Sequence, residues 1–272
     1  MNRTFRQQFE LTLSLAKRDL KARYKDSVLG FFWSLVHPAF LTLVFWVVFT
    51  KILPLPFNTS GVPFWLHMLI SVLGWNFFYG SAMEATHSVV SNVSLMKKVR
   101  MDAEVFPIAT IISNGVHFSL AMVLVVVLML FTTGVHLSIF YLIPVLLIEI
   151  MLTLGCAFYL SALQVYYRDV ASVFELGGLA LFYITPVLYP VSIAFDRLKH
   201  MAGYWQKLYL LNPMAPVMIG IRRATIYTSA NPELADWRLF EYLLASGVVA
   251  LVVLISGWAF FRWLSRDFVD QL

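Results

Sequence analysis

Charged residues are scarce in this chain of 272 residues, which is 13% Asp, Glu, Lys and Arg but 60% hydrophobic. An ordinary soluble domain carries roughly 25% charged residues, and these interrupt its apolar segments every few positions. Here the charge-free runs are much longer than about 18 residues, the length that indicates a membrane-spanning helix. The composition therefore excludes an ordinary soluble domain and predicts an all-α integral membrane protein.

Cysteine is almost absent, because Cys156 is the single one, so an intrachain disulfide or a cysteine-based metal cluster is excluded. The sequence lacks the Gly-x-x-x-x-Gly-Lys-Ser/Thr loop that holds ATP phosphates, so ATP-driven activity would require a second chain. His-Glu-x-x-His and Gly-x-Ser-x-Gly motifs are also missing. These absences argue against an intramembrane enzyme, and we predict no metal site and no cofactor on this chain.

The charge-free runs predict six transmembrane helices within one domain over residues 1–272. The first predicted span is residues 27–50, and the second follows a Pro-rich turn within 52–83 and continues to about residue 90. The third and fourth spans share the charge-free segment 105–148, with a turn at 132–134, and the fourth runs to about residue 166. The fifth and sixth spans are residues 171–189 and 242–261. Span six and the tail occupy residues 238–272.

Lys and Arg are distributed unevenly in this arrangement, since 13 of the 20 lie on the side of the two termini. This bias predicts that both termini are cytoplasmic. The basic residues before Ser27 adjoin the first apolar run, where membrane headgroups explain them, so we predict binding to membrane lipids and no binding to nucleic acid. We expect the first span to stay attached rather than to be cleaved as a signal peptide.

Two segments outside the spans have their own patterns. Residues 1–26 predict an amphipathic interfacial helix, whose apolar residues recur at three- and four-residue spacing: Phe5, Phe9, Leu13, Ala16, Leu20 and Tyr24. Residues 191–237 contain an apolar stretch at 208–221 that is too short to span and is interrupted by Pro213 and Pro216. We predict re-entrant helices there, covering an outward vestibule. The loop at residues 94–106 is predicted to contain a short helix.

The sequence at residues 23–33, Arg-Tyr-Lys-Asp-Ser-Val-Leu-Gly-Phe-Phe-Trp, followed by Pro38, carries a family resemblance. It is similar to the junction between the interfacial helix and the first span in ABC-2 type permeases that export O-antigen, teichoic acid and related polysaccharides. The resemblance covers essentially the whole chain, through residues 104–107, 167–169, 185–190 and 212–213. His37 and residues 26–28 favour the O-antigen or teichoic type over the capsule type.

The resemblance implies a transport subunit rather than an enzyme, in a homodimer that binds two ABC ATPase subunits at the cytoplasmic face of the bacterial inner membrane. ATP and Mg would bind to the ATPase, and the loop helix at 94–106 would contact it. The implied substrate is a polysaccharide linked to polyprenyl pyrophosphate. Because this head group is strongly anionic, Lys and Arg near the cytoplasmic interface are candidate ligands. They are Arg23, Lys97, Lys98 and Arg100.

A channel for a sugar polymer needs aromatic side chains, because sugars present apolar C–H faces as well as hydroxyls. The chain is 16% aromatic. The channel candidates are Phe31, Trp33, Phe45, Trp46 and Phe49 in span one, and Phe174, Phe182, Tyr183 and Tyr189 in span five. Aromatic residues also face lipid and form interfacial belts, so this alternative stays open for each of them.

Ionisable residues suggest three further hypotheses, two for residues within spans and one for the outer segment 191–237. Glu84 and His87 share a helix face, which predicts a structural hydrogen bond. Glu149 and His117 lie at similar distances from Gly134, so we predict that they pair and hold the third and fourth spans together. Arg222 and Arg223 are alternative head-group ligands at the exit.

The rival functions are an ABC-2 permease for drugs or lipids and an ion-coupled transporter that uses Glu149, His117 and Glu175.

Overall fold

A computed structural model describes residues 5–24, 33–52, 62–98, 101–198, 204–227 and 233–271, and these are helical apart from short turns. The α-helices of the described ranges are α1 (Phe5–Tyr24), α2 (Trp33–Val47), α3 (Phe64–Ser91), α4 (Val93–Lys98), α5 (Val105–Phe131), α6 (Leu142–Tyr166), α7 (Val170–Ile184), α8 (Val191–Leu198), α9 (Tyr204–Leu210), α10 (Met214–Thr225), α11 (Asp236–Leu264) and α12 (Phe268–Gln271). A π-helical turn at Val48–Ile52 extends α2, and 3-10 turns lie at Leu137–Tyr141 and Ser265–Asp267.

Three helical segments are long and apolar enough to cross a membrane, namely Val105–Phe131, Leu137–Tyr166 and Asp236–Asp267. Val36–Ile52 and Val170–Ile184 are apolar but shorter. The α3 helix has 28 residues, and its hydropathy is lowered by polar residues such as Asn76 and Glu84. Each predicted span thus coincides with a helix in the predicted order, and three of the six have the length and hydropathy of a membrane span. The chain is a multi-pass membrane protein by this criterion.

The turn between α5 and α6 lies where the sequence predicts it. Gly134 has φ 76°, a left-handed conformation that glycine adopts without a steric penalty. Its N–H donates a hydrogen bond to the Met129 carbonyl at 2.7 Å. This bond closes the end of α5 and allows the chain to reverse into α6. The prediction of a helical hairpin is confirmed.

The α7 helix ends at Ile184, so the predicted end of span five at residue 189 is wrong. Thr185 is extended, with φ −76° and ψ 142°, because a residue that precedes proline is disfavoured in the helical region, and Pro186 follows it. The short helices α8, α9 and α10 then lead to α11. Residues 208–221 are divided between α9 and α10, and Pro213 is the N-cap of α10.

The core is built around α3, in which 18 of the 28 residues are buried. It packs against α2, α5, α6, α7 and α10. All twelve residues of α10 are buried, between α3, α6 and α11. We call this end of the bundle the α10 end. The opposite end, where α1 packs against α5, is the α1 end.

Part of the predicted apolar face of α1 is buried against the bundle, and part of it is exposed. Leu15 and Ala16 are buried in a cluster that also contains Val89 and Phe106. Phe9 of the predicted apolar face is 53% exposed. The reason is that α1 has apolar residues on two sides, and the side with Leu15 packs on the bundle. The helix itself and the short α4 helix within the predicted loop are both observed.

Candidate functional site: an aromatic row joined to a polar pocket

Aromatic rings from three helices form a continuous series of contacts, which we call the aromatic row. Tyr79 of α3 stacks on Phe174 of α7, with ring centroids 5.4 Å apart, and on Trp75, at 6.0 Å. Trp75 contacts Phe182 at 5.7 Å. The row continues from Phe182 to Tyr183 at 5.4 Å and to Phe45 at 6.4 Å, and from Phe45 to Phe49 at 6.0 Å. It therefore lies along the α2, α3 and α7 interface.

Helical spacing places these rings on facing sides of their helices. Trp75 and Tyr79 are four residues apart, as are Phe45 and Phe49, so each pair shares one helix face. Phe174 and Phe182 are eight residues apart, which corresponds to a rise of about 12 Å along α7. The row thus runs along this helix interface towards the α10 end, with Trp75 buried at its centre.

A glycine allows α7 to approach the row closely. A Cβ atom on Gly178 would overlap the ring of Tyr79, whereas one on the neighbouring Gly177 would have nothing within 4 Å. Gly178 is buried and Gly177 is exposed. The absent side chain at Gly178 therefore sets the position of Tyr79.

The outer face of α7 carries an unexpected charge. Among the residues of α7, Ala171 and Gly178 are the buried ones, and Glu175 is exposed. A carboxylate on the lipid-facing side of a membrane helix costs several kcal/mol, as translocon measurements of about 2.5–3.5 kcal/mol for Asp show. The position of Glu175 is therefore suited to water or to another protein, while Val173, Leu176 and Leu179 on the exposed side of α7 are apolar.

A cavity of about 470 Å³ lies next to the C-terminal end of α1, and we call it the polar pocket. Tyr79 belongs to both the pocket and the aromatic row. The other polar side chains that line it are Arg23, His37, Asn76, Glu84, Asn114 and His117. Side chains from α1, α2, α3 and α5 thus converge on one space.

Glu84 organises the charges of the pocket. It accepts a hydrogen bond from Asn114 Nδ2 at 2.8 Å and forms an ion pair with Arg23. The side chains of Arg23 and Glu84 are 37% and 43% exposed, and an exposed pair of this kind adds little stability. A guanidinium has five N–H donors, so Arg23 retains the capacity to bind an anion. The predicted bond of Glu84 to His87 is wrong, since the described partners of Glu84 are Arg23 and Asn114.

The predicted site residues lie in different parts of the fold. Phe45, Phe49, Phe174, Phe182 and Tyr183 lie in the aromatic row, and Arg23 lies in the polar pocket. Lys97 is exposed near the end of α4, apart from both. Phe31 and Arg100, and the side chains of Trp33 and Lys98, lie outside the described residues.

Two predicted channel aromatics lie elsewhere. Trp46 lines a separate apolar groove of about 680 Å³ between α2, α3 and α5. The Tyr189 hydroxyl donates to the Tyr183 carbonyl at 3.0 Å and accepts from the Tyr209 hydroxyl at 3.2 Å. Burial raises the pKa of Tyr209 above its ordinary value, so this hydroxyl remains a donor. Tyr189 therefore acts in the connection between α7 and α9.

The predicted pair of Glu149 and His117 is wrong. Glu149 is fully buried, and neither of its carboxylate oxygens has a hydrogen-bond partner among the described residues. His117 instead lines the polar pocket. The two residues are at similar depth, but the rotational phases of α5 and α6 turn their side chains to different surroundings.

Arg222 is also different from its prediction as a head-group ligand. Its side chain is 0% exposed, and it donates to Glu233 Oε1 and Oε2, each at 2.8 Å. It further donates to Ser71 Oγ at 2.9 Å and to the Pro186 carbonyl at 2.6 Å. Arg223 is paired with Asp236 at 2.7 Å. These arginines hold α10 in place, so the exit prediction is wrong for both.

Sequence reasoning missed Trp75 and Tyr79, the two α3 members of the row. A signal was present, because these aromatics are four residues apart and flank the polar Asn76. The prediction was restricted to spans one and five. The structure adds the third helix.

Comparison with known proteins was consistent with these features. The profile described as "ABC-2 type transporter" matches residues 10–226. An O-antigen export system permease protein RfbA of Klebsiella pneumoniae is 26% identical over 267 residues, covering 97% of this chain and 95% of the relative. A protein of the same description from Myxococcus xanthus is 29% identical over 263 residues, covering 96% and 95%. Since the profile spans most of the chain, the protein belongs to the ABC-2 type transporter family.

Proposed function

We propose that this chain is the permease subunit of an ABC exporter that carries an O-antigen-like polysaccharide from the cytoplasm across the bacterial inner membrane. The ATPase would be a separate chain that binds ATP and Mg, and the permease itself would bind no cofactor. Family membership and the names of the relatives support the class of cargo. The observation that carries the proposal is the aromatic row joined to the polar pocket.

The aromatic row suits a sugar polymer for a physical reason. Ring faces cover the apolar C–H faces of sugars, and the Tyr hydroxyls bind their polar groups. The row repeats such surfaces over more than one turn of α7, and repetition is what a polymer requires. A small apolar drug would need one enclosed site instead. The row therefore favours a glycan over the drug alternative.

The exposed face of α7 supports a homodimer. Its apolar side chains, including Val173, Leu176 and Leu179, are uncovered in one copy. Glu175 makes lipid an unfavourable neighbour for this face. Two copies related by a two-fold axis would place two α7 helices around a watery passage, and the same symmetry would provide two equivalent ATPase sites.

The polar pocket is our candidate for the polyprenyl pyrophosphate head group. Arg23 offers charge-assisted hydrogen bonds, and Asn114 and His37 offer further polar groups. The Lys and Arg bias supports a cytoplasmic position for this α1 end, where the cargo would be loaded. In this orientation α1 lies at the interface with Phe9 towards the headgroups, and α8 to α10 form the re-entrant part.

A pair of adjacent glycines tests the proposal. In cells that lack this gene, Gly178→Ala is expected to restore much less surface polysaccharide than wild type, because the added Cβ displaces Tyr79. Gly177→Ala is the matched control, since its Cβ meets nothing within 4 Å. Surface polymer is measured by gel and antibody after matching protein levels. Equal export by the two variants would contradict the role of the row, and unchanged surface polymer in the deletion strain would contradict the function itself.

The division of labour has a separate test. The purified chain alone is expected to hydrolyse no ATP, because its sequence has no phosphate-binding loop. Hydrolysis is expected when the ATPase subunit is added. Activity of the isolated chain that persists after removal of contaminants would overturn the two-chain arrangement.

A further inference from the structure

A second polar cavity lies at the α10 end, between α9 and the first turns of α11. It has a volume of about 310 Å³, at the lower end of the range of about 300–1,000 Å³ that is usual for ligand pockets. We call it the α9–α11 pocket. Phe195 of α8 also contributes to it, and the rest of its polar and aromatic lining consists of Gln206, Lys207, Trp237, Arg238, Glu241 and Tyr242.

The position of this pocket places it at the membrane surface. Residues 242–261 of α11 carry no charge, and 20 helical residues rise about 30 Å, the thickness of the hydrocarbon core. Trp237, Arg238 and Glu241 directly precede this apolar segment. They therefore lie outside the hydrocarbon, where a water-soluble ligand has access.

Two charged side chains of the pocket have no polar partner in the described ranges. Neither the Lys207 ammonium nor the Glu241 carboxylate forms an ion pair or a hydrogen bond there, and both residues are exposed. The neighbouring arginines of α10 differ, because Arg222 and Arg223 are paired with Glu233 and Asp236. The α10 end thus combines a fully satisfied buried network with a cavity whose charges are still available.

Trp237 provides a flat apolar surface beside these charges. It is 61% exposed, and the guanidinium of Arg238 lies 5.1 Å from its ring centroid, a distance typical of a cation–π contact. This contact holds the guanidinium against the ring. The pocket therefore presents an aromatic face with fixed polar groups at its edge.

We propose that the α9–α11 pocket binds a short segment of the exported glycan at the exit side, an inference that rests on the proposed function. Sugar hydroxyls both donate to a carboxylate such as Glu241 and accept from Lys207 or Arg238. The Trp237 ring covers the C–H face of a sugar ring. A simple anion such as a lipid phosphate would be attracted by Lys207 and Arg238 but repelled by the Glu241 carboxylate, whereas sugar hydroxyls can bond to all three groups.

Binding can be measured on the purified full-length chain in nanodiscs. The probe is lipid-free polysaccharide released by mild acid from cells that carry the gene, and the readout is isothermal titration calorimetry. Trp237→Ala is expected to weaken binding about two- to tenfold, because the variant lacks the ring that covers the C–H face of the sugar. Trp263→Ala is the matched control, because Trp263 lies in the same helix, is 65% exposed and is near the α1 end.

The variant Glu241→Gln separates a glycan from an anion by the sign of its effect. If the pocket binds a glycan, the variant weakens binding of the polysaccharide, because it lacks the strong hydrogen-bond acceptor of the carboxylate. For an anion site, the removal of negative charge strengthens binding of phosphatidylglycerol in the nanodisc lipid or of inorganic phosphate, and polysaccharide binding is unchanged. The second pattern would overturn the glycan assignment.

Further results bear on the proposal independently of export. No measurable binding of the polysaccharide to the wild-type chain at millimolar concentration would overturn it, and so would equal binding by the Trp237→Ala and Trp263→Ala variants. These outcomes leave the exporter function intact, because that function is judged by surface polymer in the deletion strain. All the altered side chains are exposed, and monodisperse elution with wild-type Tm verifies that the variants fold.

Discussion

The crossing of α6 and α11 depends on two glycines, and a single methyl group should disturb it. A Cβ atom on Gly155 would lie 2.7 Å from the Leu254 nitrogen and 2.7 Å from the Val253 carbonyl carbon. Ordinary contacts between non-bonded heavy atoms are about 3.5–4.0 Å, and backbone atoms cannot rotate away. Gly155→Ala therefore forces the two helices apart by on the order of 1 Å. Small residues allow such close approach in membrane helices generally.

The size of the effect follows from two opposing terms. Overpacking costs about 1–3 kcal/mol, while Ala in a helix is favoured over Gly by about 0.8–1.0 kcal/mol. Gly80→Ala in α3 is the control that contains the second term alone, since its Cβ meets nothing within 4 Å. Because each kcal/mol shifts Tm by about 2–4 °C in large domains, we expect Gly155→Ala to unfold about 2–12 °C below Gly80→Ala.

The assay is loss of the monodisperse gel-filtration peak in detergent after heating, with matched expression of the two variants. Gly257 provides a second check, because a Cβ there would lie 2.5 Å from the Gly155 carbonyl oxygen. The double variant with alanine at both positions should cost less than the sum of the single changes, since the helices separate once. Equal Tm values for Gly155→Ala and Gly80→Ala would refute the close crossing.

Three further predictions follow from the polar residues. Arg222→Gln should lower stability by about 3–5 kcal/mol, because it leaves Glu233 at 2% exposure without its charged partner; Arg238→Gln, which changes an exposed side chain, should leave Tm unchanged. Glu149→Gln should maintain or raise Tm, because it removes a buried carboxylate without a described hydrogen-bond partner; a large loss would reveal a partner. Tyr79→Phe should preserve surface polymer and Tyr79→Ala should reduce it, because the ring makes the stacking contacts; equal loss in both would assign the role to the hydroxyl instead.

The order of the helices was predictable because each depends on a local signal. Long charge-free runs place the spans, and Gly134 places the α5–α6 turn. The end of α7 was also readable, since Pro186 restricts Thr185, but the prediction extended the helix through this signal to residue 189. Steric effects between neighbouring residues can be predicted from the sequence, although the prediction for α7 did not take the effect of Pro186 into account.

The buried network at the α10 end could not be predicted in the same way. Ser71 and Arg222 are separated by 151 positions, and their contact exists because α10 inserts between α3, α6 and α11. From sequence, the two adjacent arginines in a segment on the predicted outer side were candidate ligands for the head group at the exit. Glu233 reverses that expectation, as it places a carboxylate against the guanidinium.

Rotational phase explains why Glu149 and His117 were paired incorrectly while the aromatic row was found in part. Depth follows from counting residues at 1.5 Å each, but the direction of a side chain depends on how neighbouring helices rotate. One residue turns a helix by about 100°, so a small error in phase moves a single side chain to another interface. A row tolerates that error, because several aromatics at four- and eight-residue spacing define a stripe. The polar pocket needs the correct phase in four helices at once, and it therefore became visible only when α1, α2, α3 and α5 were placed together.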